Sequence, residues 1–356
     1  MTEPYFNISS NGTNITDLCF FFQNCTTEDE SYIDDLERSI SLSVFILFGF
    51  IFIAGLIGNG LVVLVVAANP LMRSTTNILI INLAVADLLF VIFCIPFTAT
   101  DYILNSWPFG SFLCSFVQYM IIVTCHASVY TLVLMSVDRY IAIVHPISGI
   151  SIRTEKNATL AIGVAWLFIT TCCIPWGFAH GLVTFANDEY EEETKCIFSS
   201  HEGYNHPIFQ ISFFLSSYVV PLTLISVLYV CMLLSLWKGT GTRVSAESRR
   251  GKKRVTRMIV AVVLAFAACW LPIHIILVLK SINAYHQTTT LVAFQIISHV
   301  LAYTNSCINP ILYCFLSENF RKAFRKVVNC GSQKSFQTQV TTKIVTRTGN
   351  GHKDIL

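Results

Sequence analysis

Six stretches of this chain run without a single Asp, Glu, Lys or Arg: residues 42–68, 109–137, 158–178, 208–237, 258–279 and 288–316. A seventh, residues 75–100, is broken only by Asp87. A bilayer core of about 30 Å is crossed by about 20 apolar residues in a helix, and every stretch meets that length. Barrel strands are excluded, because they are about 10 residues long and alternate in polarity. A large soluble core can hide one or two such helices, but not seven. Composition agrees: 12% of residues are charged, about half the usual share of a soluble domain. The expected fold is an all-α membrane protein, a seven-transmembrane helix bundle over 42–316.

Lys and Arg collect on the cytoplasmic side of membrane proteins. With the N-terminus outside, 20 of the 23 basic residues fall on the cytoplasmic side, and only Arg38, Lys195 and Lys280 stay outside. The expected location is the plasma membrane, multi-pass, with residues 1–41 as an extracellular tail. That tail holds acceptor sequons at Asn7, Asn11, Asn14 and Asn24, which require lumenal exposure to be glycosylated. Asn157 also heads a sequon, on the cytoplasmic side, and is expected to go unused. The first 30 residues lack a basic start followed by a short apolar core, so the first helix is expected to act as an uncleaved signal. Of the 13 cysteines, Cys114 and Cys196 both face the oxidising side and are expected to pair. Cys19 and Cys25, in the outer tail, are available to pair with each other. Cys330, in a basic stretch past the last helix, is a candidate for palmitoylation.

An ionisable group in hydrocarbon is costly and marks a functional hypothesis. Asp87 is the only carboxylate deep within a run, and Asn59, Ser128, Asn305 and Asn309 are polar groups that could meet it, with water or a small cation such as sodium. Prolines at 175, 221, 272 and 310 interrupt four runs, each removing a backbone donor and tending to kink its helix. After the seventh run, residues 317–328 place Phe320 and Phe324 on one face and Arg321, Lys322, Arg325 and Lys326 around it. That pattern predicts a short amphipathic helix lying on anionic lipid. Residues 329–356 are polar and rich in Ser and Thr, the signature of a disordered, phosphorylatable cytoplasmic tail.

The chain resembles the rhodopsin-like G-protein-coupled receptors from about residue 42 to 328. The resemblance rests on Asn59, "LAVAD" with Asp87, "WPFGSFLC" with Cys114, "DRY" at 138–140, Trp166, Pro221 with Tyr229, "CWLP" with Trp270 and Pro272, and "NPILY" at 309–313. It implies that Asp138 holds Arg139 at rest beside Tyr140, and that activation frees Arg139 for Tyr229 or an entering G protein. Trp270, Pro272, Asn309, Pro310 and Tyr313 would belong to the same switch. Single positions narrow the ligand. The family's light sensors need a Lys six residues before the position of Asn309, and Tyr303 stands there. Its amine receptors use an Asp 18 residues before the motif Arg, and Ile121 stands there.

The outer side carries 15 acidic residues against three basic ones, a rim that would steer a cationic ligand. Residues 182–207 are long enough for a hairpin lid. Longer stretches, including "MSVDRYIAIVHP", "CWLPIHII" and "HVLAYTNSCINPILYCFLSENFRKAF", resemble the galanin receptors of vertebrates and, more closely, the allatostatin A receptors of insects. That group implies a neuropeptide ligand, here an amidated allatostatin A-type peptide, and heterotrimeric G proteins of the Gi/o class as partners. Receptor kinases and arrestin would follow. It also implies that His274 and His299 line the peptide pocket, where two imidazoles could bond a peptide backbone or terminal amide. Phe97, Asp101, Tyr102, Gln118, Ile121, Gln210, Leu277 and Gln295 are further candidates by helix face and depth. A transporter would show internal repeats and charges along a path, and neither is seen. No metal-ligand set or nucleophile motif marks an enzyme, and no nucleic-acid partner is expected.

Overall fold

The computed structural model describes residues 27–69, 74–104, 106–186, 192–199, 203–237, 246–285, 288–316, 320–322 and 325. Among them are seven helices long and apolar enough to cross a membrane: Arg38–Ala67, Thr75–Asp101, Gly110–Val144, Glu155–Phe178, His206–Ser235, Val255–Ser281 and Thr290–Phe315. They are the first to seventh spans. The four sequons of the N-terminal tail, Cys19, Cys25, Cys330, Phe324 and the Ser/Thr-rich tail lie outside the described residues.

Helix boundaries follow local chemistry. The first helix, α1 (Thr27–Ala67), begins well before residue 42. The expected tail is therefore partly helical: no Pro or Gly occurs between Thr27 and Phe48 to stop the helix from extending. In the second span, α2 (Thr75–Phe93) starts where Ser74 Oγ accepts the Asn77 amide. It ends at Cys94, and α3 (Ile95–Asp101) follows with Pro96 in its first turn. Pro96 was not among the four expected interruptions. The third span is one helix, α4 (Gly110–Val144). Past a single turn, α5 (Gly149–Ile152), the fourth span consists of α6 (Glu155–Cys172) and, after a break before Pro175, α7 (Ile174–Phe178). The fifth runs through α8 (His206–Phe214), a π-helical turn Leu215–Val219 and α9 (Val220–Trp237). The wide turn directly precedes Pro221, whose missing N–H leaves a carbonyl one turn back without its donor. Pro272 and Pro310 lie inside α10 (Ala246–Ser281) and α11 (Thr289–Leu316).

The hairpin predicted between the fourth and fifth spans is present: β1 (His180–Ala186) pairs antiparallel with β2 (Glu192–Phe198), with Leu182 opposite Cys196. It defines the hairpin end of the bundle; Arg139 marks the opposite, arginine end. Of the amphipathic helix expected at 317–328, residues 320–322 and 325 are described as helical. Phe320 is buried and stacks on Tyr313 at 5.5 Å, while Arg321, Lys322 and Arg325 are exposed.

The third span runs through the middle of the bundle: 72% of its most apolar window is buried, against 17% for the fourth and 22% for the first. Leu160, Leu167, Phe50 and Ile57 turn outward from those two outer spans, as lipid-facing side chains do. Close approach holds the first span to the seventh. A Cβ on Gly55 would come within 3.2 Å of Cys307 Sγ, and one on Gly58 within 3.1 Å of the Pro310 ring. Asn59 Nδ2 donates to the Ser306 carbonyl at 2.8 Å across the same seam. Trp166 donates to Asn82 Oδ1 and Asn82 Nδ2 to Thr131 Oγ1, which ties the fourth, second and third spans.

Candidate functional site

At the hairpin end, the Cys114–Cys196 disulfide fastens β2 to the start of α4. Further ties hold the strands: Ser115 Oγ donates to the His180 carbonyl at 3.0 Å, the Trp107 amide donates to the Thr194 carbonyl at 2.7 Å, and the Thr194 amide donates to Ser106 Oγ at 3.0 Å. Phe97 and Ile121 join a small cluster around Trp107, Cys114 and Val117. They therefore pack beneath the hairpin. At its base, His180 Nδ1 donates to the Trp176 carbonyl at 2.8 Å. Burial holds that imidazole down at about 4, with His206 adding to the depression and the Trp176 bond opposing it.

The two candidate histidines are on separate walls. His274 is fully buried among Phe213, Phe214, Tyr218 and Trp270. Its Nε2 lies 3.3 Å from Ser217 Oγ, and its Nδ1 has no partner. His299 places Nδ1 2.6 Å from the Tyr102 hydroxyl, linking the seventh span to the end of the second. One turn away, Gln295 Oε1 accepts from Tyr285. Gln210 Nε2 donates to His206, and its Oε1 is unpartnered. Gln118 and Leu277 are half-buried, and Asp101 closes α3 next to Tyr102. Trp270 sits below His274, against Phe90 and Phe266, with a buried Nε1 that finds no acceptor. Orphaned polar atoms on His274, Gln210 and Trp270 are unusual in a native interior, and they give this half of the bundle spare hydrogen-bonding capacity.

In mid-bundle, Asp87 accepts from Asn309 Nδ2 at 2.7 Å and from Ser128 Oγ at 3.3 Å. Asn59 and Asn305, named with Asp87 as groups that could meet it through water or a cation, make no direct bond to it. Asn59 instead spends its amide on the Gly55 and Ser306 carbonyls, because the close seam at Gly55 and Gly58 brings seventh-span backbone within its reach. The Oδ1 atoms of Asn59, Asn305 and Asn309 are all buried without donors. Among the described residues no group of three or more His, Cys, Asp or Glu gathers to hold a metal ion. Any cation here would be held by oxygen.

At the arginine end, Asp138 and Arg139 form the ion pair that the resemblance implies, and both are buried. Two partners were not foreseen. Thr76 Oγ1 donates to Asp138 at 2.9 Å and also contacts Arg139. Arg153, beyond α5, donates through Nε to Asp138 Oδ1 at 2.7 Å, and its carbonyl accepts from Thr75 Oγ1 at 3.1 Å. Asp138 thus faces two guanidinium groups, and losing one does not leave a buried carboxylate unpaired. Tyr140 stays near its own helix end, ring to ring with His145 at 5.8 Å. Tyr229, expected as an alternative partner for Arg139, makes no bond to it here. Its buried hydroxyl, like that of Tyr313, is unpartnered.

A central, most-buried third span with a paired Asp-Arg at one end, a polar cluster round Asp87 and a disulfide-fastened hairpin at the other end define the seven-transmembrane receptors. The family model described as 7 transmembrane receptor (rhodopsin family) matches residues 58–313, and the chain belongs to that family. Among individual proteins, the Allatostatin-A receptor of Bombyx mori is 60% identical over 335 residues, which is 93% of this chain and 92% of that protein. Galanin receptor type 1 of Homo sapiens is 38% identical, covering 81% of this chain and 82% of its own. Galanin receptor 2b of Danio rerio is 37% identical, covering 87% and 81%.

Proposed function

We propose that this multi-pass membrane protein is a neuropeptide receptor that binds amidated allatostatin A-type peptides at the hairpin end and activates heterotrimeric G proteins, of the Gi/o class, at the arginine end. Support for the ligand class comes from the 60% identity to an allatostatin-A receptor across 93% of the chain, beside 37–39% to several galanin receptors. The hairpin end then faces outward from the plasma membrane, the N-terminal tail with its sequons is extracellular, and the basic segments face the cytoplasm, where receptor kinases and arrestin act on the tail. The chain works as a receptor and not as an enzyme.

In this reading, the peptide meets His274 through its unpartnered Nδ1 and His299 beside Tyr102. A ligand that bonds His274 also presses on Trp270, 6.1 Å away ring to ring, which couples the pocket to the core. Asp138 and Arg139 then part when a better-matched partner for Arg139 enters, a shift in populations set by differential binding. Asp87, Ser128 and the donor-free amide oxygens of Asn305 and Asn309 fit a small monovalent cation such as sodium, which would supply the positive charge that these acceptors lack.

The test is a cAMP and G-protein activation assay in cells expressing the receptor, with amidated allatostatin A peptides, galanin and a somatostatin-like control. Potent inhibition of cAMP by the allatostatin peptides alone is expected. His274→Ala and His299→Ala should each lose about tenfold or more in potency, the cost of one or two buried hydrogen bonds. A response to galanin alone would transfer the assignment to galanin-type peptides. Silence to all three at confirmed surface expression would overturn the allatostatin assignment and turn the search to other neuropeptides.

A further inference from the structure

Lys280 occupies the last turn of α10, where the free carbonyls of a helix end favour a cation. The chain then folds back sharply. Asn283 takes a positive φ of 56°, and the Ala284 amide donates to the Leu279 carbonyl at 2.9 Å. This turn sets the Tyr285 ring under the lysine, with Nζ 5.0 Å from the ring centroid. The ring is itself pinned, since Tyr285 Oη donates to Gln295 Oε1 at 2.9 Å. Gln295 and His299 are spaced i, i+4 and share one face of the seventh span, and His299 continues the row to Tyr102. Lys280 therefore heads a polar row that joins the ends of the sixth, seventh and second spans.

An aromatic face steadies an ammonium group but offers no lone pair, so its three N–H donors still need acceptors. Among the described residues, no carboxylate pairs with Lys280. Lys195, by contrast, is matched to Glu193 at 3.7 Å. Lys280 is only part-exposed, so water serves it less well than a surface lysine. A pre-placed, half-desolvated cation of this kind is completed by an anion that arrives with the ligand. The 15 acidic residues assigned to the outer side from the sequence also disfavour ligands that are negative throughout.

We propose that Lys280, on its Tyr285 platform, is a specificity-determining anchor for a carboxylate carried by the incoming peptide. The ligand it selects is dipolar: cationic where it meets the acidic rim, acidic where it reaches between the sixth and seventh spans. This inference rests on the assignment of a peptide ligand above and adds the chemistry of one subsite.

Displacement binding on cell membranes tests it, with amidated allatostatin A peptides in which each position in turn carries Asp, Asn or Lys. The receptors are wild type, Lys280→Arg, Lys280→Met and Lys280→Glu, each with surface expression confirmed. At one position, Asp should be preferred to Asn by about tenfold on wild type and Lys280→Arg. The preference should vanish in Lys280→Met and reverse in Lys280→Glu, which should favour Lys, a gain that misfolding cannot produce. If wild type binds the peptides but no position's preference depends on residue 280, the anchor is wrong and the peptide assignment stands. If wild type binds none of them, the peptide assignment fails and the anchor falls with it.

Discussion

The Asp87 carboxylate receives Asn309 and Ser128, while the buried amide oxygens of Asn59, Asn305 and Asn309 receive nothing. A cation that binds the folded bundle and not the unfolded chain stabilises it in proportion to the logarithm of its concentration. In detergent, replacing choline chloride with sodium chloride at about ten times the dissociation constant should add roughly 1.4 kcal/mol, a rise of a few degrees in Tm at most for a chain of this size. Asp87→Asn should abolish the increment. An equal rise in that variant would place the ion elsewhere or nowhere. Asp87 was legible in the sequence because a carboxylate in an apolar run is rare, and Arg139 because its neighbour is an acid. The Ser306 carbonyl, Thr76 and Arg153 were not. A backbone carbonyl leaves no mark in the sequence, Ser and Thr are common in membrane helices, and a loop arginine can be assigned to a helix only once the fold has brought them together.

The length of each apolar run gave the spans, and their ends deviate where local chemistry outweighs hydropathy. Pro96 escaped notice as an interruption because proline in a first turn is an ordinary helix start, and only the capped end at Cys94 shows that one helix stops there and another begins. The hairpin's second fixing, at His180, carries a dependence on pH. The imidazole stays neutral in the fold down to about 4, while an unfolded chain protonates near 6.5. Between these values the unfolded state binds more protons, so stability falls as pH drops from about 6.5 towards 4 and is unaffected above. At pH 5 the loss attributable to this group is about 2 kcal/mol. His180→Gln keeps an amide to donate to the Trp176 carbonyl but cannot titrate. Melting curves at pH 7.5 and 5.0 should therefore differ less for the variant than for wild type, and identical differences would rule out His180 as the source.

Taken whole, the molecule is a bundle organised around its third span, and the disulfide has a consequence for how that bundle is made. Cys114 and Cys196 are 82 residues apart in sequence, and the third and fourth spans lie between them. The two thiols can reach one compartment only after the nascent chain has been threaded through the bilayer twice. The bond is thus a receipt for correct integration, written during biosynthesis and readable on a gel. Leu167 and Phe168 face outward from the middle of the fourth span, 70% and 68% exposed, so changing them leaves bundle contacts alone. Arg at both sites costs roughly 2.5–3.5 kcal/mol each near the centre of an inserting helix. The double variant should fail to integrate its fourth span, strand Cys196 across the membrane from Cys114, and leave both thiols open to a maleimide probe. A crosslink that forms regardless would mean that the cysteines meet before the membrane has sorted the chain.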